Sequence, residues 1–294
     1  MPSVAERLAA ARRRLEGAGL SAADAALDTE VLGRHLLGWD RADLVVRGRD
    51  PEPPDFSARL DLLLARRATR EPVAQIIGVR EFWGLDFEVT PDVLIPRPET
   101  EIIVDEALAF ASTHTCREIL DVGTGSGCLA VALAHALPAA RVTAVDVSIP
   151  ALEVARRNAA RHGVTDRVVF IHSDLLDGMS GLFDLIVSNP PYVPDADAAH
   201  LQEDVVGFEP YVALFGGSSG LEVMGRLLNQ APGHLAPGGQ LIVEFGFGQV
   251  AAVTALAEDA GWRVVRVRDD LQSIPRTIVL ALVGPQMLSR TPDA

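Results

Sequence analysis

From residue 118 onward, short apolar runs of strand length alternate with segments of helix length. The apolar runs are Glu118–Val122, Arg141–Val147, Val168–Ile171, Phe183–Ser188, Gln240–Phe245, Trp262–Val267 and Thr277–Val283. Strands separated by helices predict a parallel, doubly wound α/β sheet. Only Arg268 to Arg276 separates the last two runs, which is too short for a parallel crossover, so we expect an antiparallel last strand.

The chain ahead of this region has a different pattern. Residues 3–70 show helical periodicity, interrupted by the prolines of residues 50–54, and predict a small helical bundle. Nothing in it resembles a ligand cluster, so a binding module and a structural cap both remain open. Apolar and polar residues then alternate through 73–95 around glycines, which predicts a β-hairpin connector. We therefore expect a helical domain at 1–72, a connector at 73–95 and a sheet domain at 96–294.

Charge and cysteine content exclude several classes of protein. The net charge is −14, and all of it falls in residues 86–294, where 13 Arg face 27 Asp and Glu. Such an acidic balance argues against binding to nucleic-acid phosphates. Two cysteines form neither a disulfide framework nor a metal cluster, and the N-terminus lacks the apolar stretch of a signal peptide. We expect a cytoplasmic protein that binds no metal and no membrane.

A glycine-rich turn follows the first strand of the sheet and opens a helix. Its sequence is Asp121-Val-Gly-Thr-Gly-Ser-Gly127, and Asp146 ends the next strand. Glycines let the backbone approach a ligand closely, and an acid at the end of the second strand can accept hydrogen bonds from ribose hydroxyls. An ordinary tight turn is the alternative. The pattern predicts a nucleotide site.

The spacing within the turn indicates which nucleotide. It is G-x-G-x-G, whereas dinucleotide sites use G-x-G-x-x-G. Asp121 would repel a pyrophosphate but could pair with an ammonium group, which favours S-adenosylmethionine over NAD. Asp174 follows the third strand; it either accepts a hydrogen bond from the adenine amine or caps its loop.

A second motif, Asn189-Pro-Pro-Tyr192, closes the fourth strand. The carboxyl ends of parallel strands meet at one edge of the sheet, so this motif and the glycine turn should share a cleft. Acceptors on the N–H bonds of a planar nitrogen hold its plane and favour charge that develops there. Asn189 offers a side-chain carbonyl, Pro190 a backbone carbonyl and Tyr192 a face for stacking, and attack requires no general base. A proline-rich turn without chemistry is the alternative.

Together these motifs resemble those of Class I (Rossmann-like) methyltransferases that modify planar nitrogens. The segment Leu94-Ile-Pro-Arg-Pro-Glu-Thr-Glu101 is narrower and is similar to the signature of the bacterial peptide chain release factor glutamine N5-methyltransferases, the PrmC/HemK family. Further matching segments are Glu71–Gly78, Phe82–Gly84, Glu209-Pro210, Ala213–Gly217, Gly238-Gly239 and Glu244–Gly246. The resemblance spans residue 71 to the C-terminus, and the helical part fits by length and position only.

The resemblance implies methylation of the glutamine amide in the Gly-Gly-Gln motif of class 1 release factors, with S-adenosylmethionine as donor. It implies a donor site made of Asp121, Gly123, Thr124, Gly125, Ser126, Gly127, Asp146, Asp174, Leu175 and Asn189. The implied catalytic residues are Asn189, Pro190 and Tyr192, and the implied substrate-binding residues are Asn189, Pro190, Pro191, Tyr192, Arg97 and Glu99. Many members carry an aromatic residue where this chain has Leu175.

Three other classes of protein are alternatives to a release factor methyltransferase for this sequence. A sister group methylates a glutamine of a ribosomal protein, but its segment ahead of the sheet resembles Pro-Arg-Ser-Pro-Ile-Ala-Glu rather than Pro96–Glu101. Nucleic-acid amino-methyltransferases share the four-residue motif, and the acidic charge around the cleft favours a protein glutamine over a nucleobase. A non-catalytic binding module would not need Asp121, Asp146 and Asn189. We expect class 1 release factors as partners, docked by the neutral helical bundle, no direct contact with nucleic acid, and a monomer.

Overall fold

The chain folds into two units, one helical and one built on a β-sheet. The computed structural model describes residues 2–283, so Met1 and residues 284–294 of the predicted domains lie outside it. The first unit runs to Val79 and also contains Leu201–Glu209. The second contains Arg80–His200 and the chain from Pro210 onward. One segment of the C-terminal part of the sequence therefore belongs with the N-terminal helices.

Five N-terminal helices form the first unit around a core of its own. They are α1 (Val4–Gly17), α2 (Ala22–Leu37), α3 (Arg41–Arg47), α4 (Phe56–Ala68) and α5 (Val73–Ile77). Ser3 and Ser21 cap the N-termini of α1 and α2, because their hydroxyl oxygens accept backbone N–H bonds that would otherwise lack a partner. Buried leucines from three helices fill the core. The predicted helical bundle is confirmed.

The strand pattern predicted from residue 73 is wrong at its beginning. Val73–Ile77 forms one short helix, which ends where Gly78 adopts a left-handed conformation. Five residues are too few to distinguish helical from strand periodicity, so the apolar pair Ile76 and Ile77 did not show which of the two this segment forms. The hairpin itself lies at β1 (Val79–Phe82) and β2 (Leu85–Glu88).

The segment Leu201–Glu209, with α9 (Glu203–Val206), is held to the helical unit by charged and polar contacts. The guanidinium of Arg67 is 6% exposed and lies 2.7 Å from Asp28 and 3.4 Å from Asp204. The side-chain amide of Gln75 donates a 2.9 Å hydrogen bond to the carbonyl of Phe208. A buried arginine requires such acidic partners, because an unpaired charge in a protein interior is costly.

Seven strands form the sheet of the second unit. They are β3 (Glu118–Val122), β4 (Arg141–Asp146), β5 (Val168–His172), β6 (Phe183–Ser188), β7 (Leu235–Glu244), β8 (Trp262–Asp269) and β9 (Pro275–Leu282). Their order across the sheet is β5-β4-β3-β6-β7-β9-β8. The first five run parallel, and β9 lies antiparallel between β7 and β8. The predicted fold class, a doubly wound sheet with an antiparallel last strand, is confirmed.

Helices pack on both faces of the sheet, so most residues of its central strands β3 and β6 are buried. The helices are α6 (Glu101–Ala111), α7 (Cys128–Ala136), α8 (Ile149–Arg161), α11 (Glu222–Gln230) and α12 (Val250–Asp259), and the short α10 (Tyr211–Leu214) lies in the connection before α11. Alternate residues of β6 enter different cores: Leu185 and Val187 pack with α6 and α7, while Ile186 packs with α11 and α12. Burial on both faces explains why these strands are continuous apolar runs. No helix within residues 2–283 is long and apolar enough to cross a membrane.

Candidate active site

The glycine turn lies where β3 ends and α7 begins. Gly123, Gly125 and Gly127 all have positive φ, at 73°, 54° and 82°. A Cβ on Gly127 would also lie 3.0 Å from the Cβ of Ala155. The turn therefore requires glycine for its backbone conformation and, at its last position, for its close approach to α8.

Asp121 lies beneath this turn and holds its shape. Its carboxylate is fully buried and accepts hydrogen bonds from the hydroxyl of Thr124 at 2.6 Å and the backbone N–H of Ala130 at 3.1 Å. Burial raises the pKa of Asp121 to about 7. Its second oxygen, Oδ1, has no hydrogen-bond partner among the described residues. One acceptor therefore remains for a donor such as a water or an ammonium group.

Asp146, at the end of β4, connects the turn to the neighbouring strand. Its two oxygens accept backbone N–H bonds from Gly125 and Ser148, both at 2.8 Å. Burial is the largest effect on its pKa, which is raised, although these hydrogen bonds oppose the shift. A carboxylate held in this way keeps free lone pairs for a ligand's hydroxyl groups.

A cavity of about 320 Å³ opens at this edge of the sheet. That volume falls within the range of small-molecule sites. Its wall brings together seven of the predicted residues: Gly123, Gly125, Asp146, Asp174, Leu175, Asn189 and Pro191. The glycine turn and the Asn-Pro-Pro-Tyr motif therefore border one space, as their positions at the ends of parallel strands predict.

The other predicted residues lie outside this wall. Among the residues that the structure describes, they are Asp121, Thr124, Ser126, Gly127, Pro190, Tyr192, Arg97 and Glu99. The wall instead contains residues without a predicted role, among them Leu94, Pro210 and Phe215. They come from loops whose path depends on tertiary structure, and the only sequence signal for them is that they lie in segments similar to those of the PrmC/HemK family.

Asp174 is engaged by an arginine that sequence reasoning missed. Its carboxylate lies 2.8 Å from the guanidinium of Arg226 on α11, and both side chains are partly exposed on the cavity wall. Leu175, the next residue, has a φ of 50°, which is unusual for a side chain of this size. The left-handed conformation turns the chain sharply at this part of the wall.

Asn189 follows β6 and has a fixed side chain. The preceding Ser188 donates a 2.7 Å hydrogen bond to the carbonyl of Val122, which joins the ends of β6 and β3. The amide nitrogen of Asn189 donates a 3.0 Å hydrogen bond to the hydroxyl oxygen of Thr100. The side-chain carbonyl oxygen is thereby left as the acceptor that Asn189 can offer.

Tyr192 does not present its hydroxyl to the cavity. The hydroxyl lies 3.2 Å from the carboxylate of Glu244, at the end of β7, and burial raises the pKa of the phenol. The backbone carbonyl of Tyr192 accepts a 2.9 Å bond from the side chain of Gln249. The side chain of Tyr192 is therefore held by the last residue of β7, and its backbone by the segment that follows β7.

Glu244 is a buried acid whose role sequence reasoning missed. Its side chain is 1% exposed and also accepts a 2.7 Å hydrogen bond from the Thr100 hydroxyl. Burial raises the pKa of Glu244 to about 7, and the negative charge of Glu99 adds to the shift. The positive charge of Arg97 lowers the pKa of the Tyr192 phenol, against the larger effect of burial, which raises it. The available signal was a carboxylate at the end of an otherwise apolar strand.

The loop of residues 213–220 packs against the backbone of the Asn-Pro-Pro-Tyr motif. A Cβ on Gly216 would lie 2.4 Å from the carbonyl oxygen of Pro191, and one on Gly220 would lie 2.3 Å from that of Tyr192. Val193, after the motif, exchanges backbone hydrogen bonds with this loop, at Leu214 and Gly216. The glycines therefore allow the contact that fixes the motif's backbone.

Comparison with known proteins identifies both parts of the chain. Residues 6–78 match the family model described as the PrmC N-terminal domain, and residues 103–206 match the methyltransferase small domain. A solved methyltransferase from Pyrococcus furiosus is 24% identical with a TM-score of 0.50, covering 76% of this chain and 98% of that one. The human METTL16 catalytic domain is 14% identical with a TM-score of 0.57, covering 86% of this chain and 91% of that one. These structures share the fold.

Other relatives align with most of the chain at higher identity. The release factor glutamine methyltransferase of Geobacter sulfurreducens is 46% identical over 256 residues, covering 87% of this chain and 89% of that protein. The release factor glutamine methyltransferase of Cereibacter sphaeroides is 44% identical over 276 residues, covering 93% and 96%. At this identity and coverage, the chain belongs to the family of release factor glutamine methyltransferases, which are S-adenosylmethionine-dependent enzymes.

Proposed function

We propose that this protein transfers the methyl group of S-adenosylmethionine to the side-chain amide nitrogen, N5, of the glutamine in the Gly-Gly-Gln motif of class 1 release factors. The observation that carries the proposal is the amide of Asn189, fixed by Thr100 on the wall of the cavity that the glycine turn also lines. A fixed acceptor beside a nucleotide-type pocket suits transfer to a planar nitrogen.

The residues of the cavity fit the methyl donor. Asp146 is placed to accept hydrogen bonds from ribose hydroxyls, and Gly123 and Gly125 allow close approach of the backbone. Asp174 and Leu175 stand further along the wall, where we place the adenine. Asp121 supports the turn, and we assign its Oδ1, which has no hydrogen-bond partner among the described residues, to the donor's ammonium group, directly or through a water. When bound, the donor supplies an activated methyl on a sulfonium.

The protein's role in the reaction is to hold the glutamine amide. The carbonyl oxygen of Asn189, on the cavity wall, accepts one N–H of the substrate. We assign the other N–H to the backbone carbonyl of Pro190, the next residue, although Pro190 itself lies outside the wall. These acceptors keep the amide plane fixed, favour the positive charge that develops on nitrogen, and leave the lone pair out of plane free to attack. The nitrogen lone pair forms the new N–C bond while the S–C electrons return to sulfur. A proton then leaves the nitrogen to solvent, so no side chain must act as a base before attack.

The helical unit is our candidate for docking the protein substrate. Residues 1–85 are electrically neutral, and the segment Leu201–Glu209 adds three acids to this unit, whereas the excess of 14 negative charges falls within residues 86–294. Such a surface repels the phosphates of nucleic acids. We further propose that the enzyme is a cytoplasmic monomer that makes no direct contact with nucleic acid and uses no metal ion.

The test uses labelled methyl donor and a release factor prepared without the modification. Mass spectrometry should place the label on the Gly-Gly-Gln glutamine, and a release factor with asparagine in place of that glutamine should stay unlabelled. A second arm offers DNA, RNA and ribosomal protein as acceptors. Label on any of these, without label on the release factor, contradicts the proposal.

A further inference from the structure

The hydrogen bond between Asn189 and Thr100 continues into buried groups, Glu244 and the Tyr192 hydroxyl, to which the reaction described above gives no role. The Asn189 amide nitrogen is 3.0 Å from Thr100 Oγ1, and that hydroxyl is 2.7 Å from Glu244 Oε2. The other oxygen of Glu244 is 3.2 Å from the Tyr192 hydroxyl. Thr100 and Glu244 are 2% and 1% exposed, so water does not compete for these bonds.

When Glu244 is ionised, above its raised pKa of about 7, the chemistry of these groups allows one direction of donation. The ionised carboxylate only accepts hydrogen bonds, so the Thr100 proton points to Glu244. The oxygen of Thr100 has then used its single proton, and it can only accept from Asn189. Asn189 must therefore turn its NH₂ group to Thr100 and its carbonyl oxygen away. In the opposite orientation, the carbonyl of Asn189 would face the lone pairs of Thr100.

We propose that Glu244 is a positioning residue, which acts through Thr100 to set the orientation of the Asn189 amide and directly to hold Tyr192. This inference rests on the proposed function, since the orientation matters because the substrate is an amide that donates N–H bonds. With the Asn189 amide reversed, its NH₂ would meet the N–H of the glutamine, and the acceptor would be lost.

The location of Glu244 supports a role beyond folding. Its burial at the end of β7 is unfavourable for a charge, because a carboxylate taken out of water loses its hydration and needs hydrogen-bond donors in its place. Two hydroxyl donors from different elements converge on its two oxygens, one from the segment before α6 and one from the Asn-Pro-Pro-Tyr motif. A single carboxylate thus contacts both ends of the motif, directly or through one hydroxyl.

The test compares variants that remove or keep each hydrogen bond. Thr100→Val removes the hydroxyl at nearly constant shape, and Thr100→Ser keeps it. Glu244→Met removes the acceptor at similar length. Thr277→Val is the matched control, because Thr277 is buried beside Glu244 on β9 and its hydroxyl has no hydrogen-bond partner among the described residues. For each protein, kcat, the KM of the release factor and the Kd of the donor are measured.

We expect Thr100→Val and Glu244→Met each to lower kcat by about 10–100-fold, the scale of a mispositioned reacting group. In the variant that carries both changes, kcat should be no lower than in the slower of the two single variants, because both changes interrupt one chain of bonds. Thr100→Ser and Thr277→Val should keep kcat within about threefold, and donor Kd should stay within about threefold in all variants, as expected when only preorganisation is lost.

Several results would overturn the inference. They are an unchanged kcat in Thr100→Val, an equal loss in Thr277→Val, additive losses in the double variant, or a loss confined to donor Kd. The side-chain NH₂ signals of Asn189 in NMR spectra of the protein without substrate give an independent measurement. Both Thr100→Val and Glu244→Met should shift them, and Thr277→Val should not. If the wild-type protein labels no release factor but these shifts occur, the proposed function fails while the positioning role stands.

Discussion

Replacing Asp146 with alanine tests the donor site most directly. In the structure, one carboxylate oxygen accepts the N–H of Gly125 and the other accepts that of Ser148, so the side chain already has its orientation before any ligand binds. Asp146→Ala removes the acceptors for the ribose and also the bond that holds the glycine turn. Loss of hydrogen bonds to a charged group costs about 1.5–3 kcal/mol, which corresponds to a donor Kd weaker by roughly 10–150-fold.

Isothermal titration calorimetry with S-adenosylmethionine measures this change. Asp184→Ala is the matched control, because the carboxylate of Asp184 also accepts two backbone N–H bonds, from Arg117 at 2.7 Å and Glu118 at 3.0 Å. These residues lie at the opposite edge of the sheet, where β3 begins and β6 starts. The control should lose stability and keep its donor Kd. A donor Kd that is unchanged in Asp146→Ala, or equally weakened in both variants, would refute our assignment of the cavity.

Three further predictions concern turnover, backbone and pH. Asn189→Ala should lower kcat by about 10²–10³-fold, as loss of one preorganised contact does, with a smaller effect on donor Kd; a change of only a few fold contradicts its role. Gly127→Ala should lower the free energy of unfolding, measured by urea titration, by about 1–3 kcal/mol, because the φ of Gly127 is 82° and a Cβ there would press on Ala155. Gly225→Ala is the control: a Cβ at this position on α11 meets open space, so the change should be neutral or stabilising. Burial raises the pKa of Glu244 to about 7, so between pH 4.5 and 7 the folded protein keeps a proton that the unfolded chain has released. The free energy of unfolding should then fall by roughly 3 kcal/mol as pH rises through this window. Glu244→Gln should remove that part of the slope, and an unchanged slope would show that the pKa is not raised.

Patterns repeated along the chain were sufficient to predict the sheet. The central strands are buried on both faces, and such strands are recognisable as apolar runs bounded by turns. The glycine turn and the Asn-Pro-Pro-Tyr motif were placed correctly at one edge, because carboxyl ends of parallel strands coincide. Gly123 and Asn189 therefore line one cavity, as expected from strand order alone.

Interactions between distant residues were beyond the reach of sequence patterns. Helix α6 was not predicted, and the helical Val73–Ile77 was assigned to a strand. Glu244 stands in a strand-like segment, and its partners Thr100 and Tyr192 are 144 and 52 residues away along the chain. Only the tertiary fold brings such groups together, so the acid could be noticed in the sequence but not given its role.

The position of Leu201–Glu209 has a consequence for how the protein forms during translation. Asp204 and Phe208 follow their partners Arg67 and Gln75 by 137 and 133 residues. The N-terminal helices therefore leave the ribosome long before the segment that completes their unit. Until Asp204 has been synthesised, Asp28 is the one of its two acidic partners that the guanidinium of Arg67 can contact. The helical unit, although first to be synthesised, reaches its final form only after most of the parallel strands have emerged.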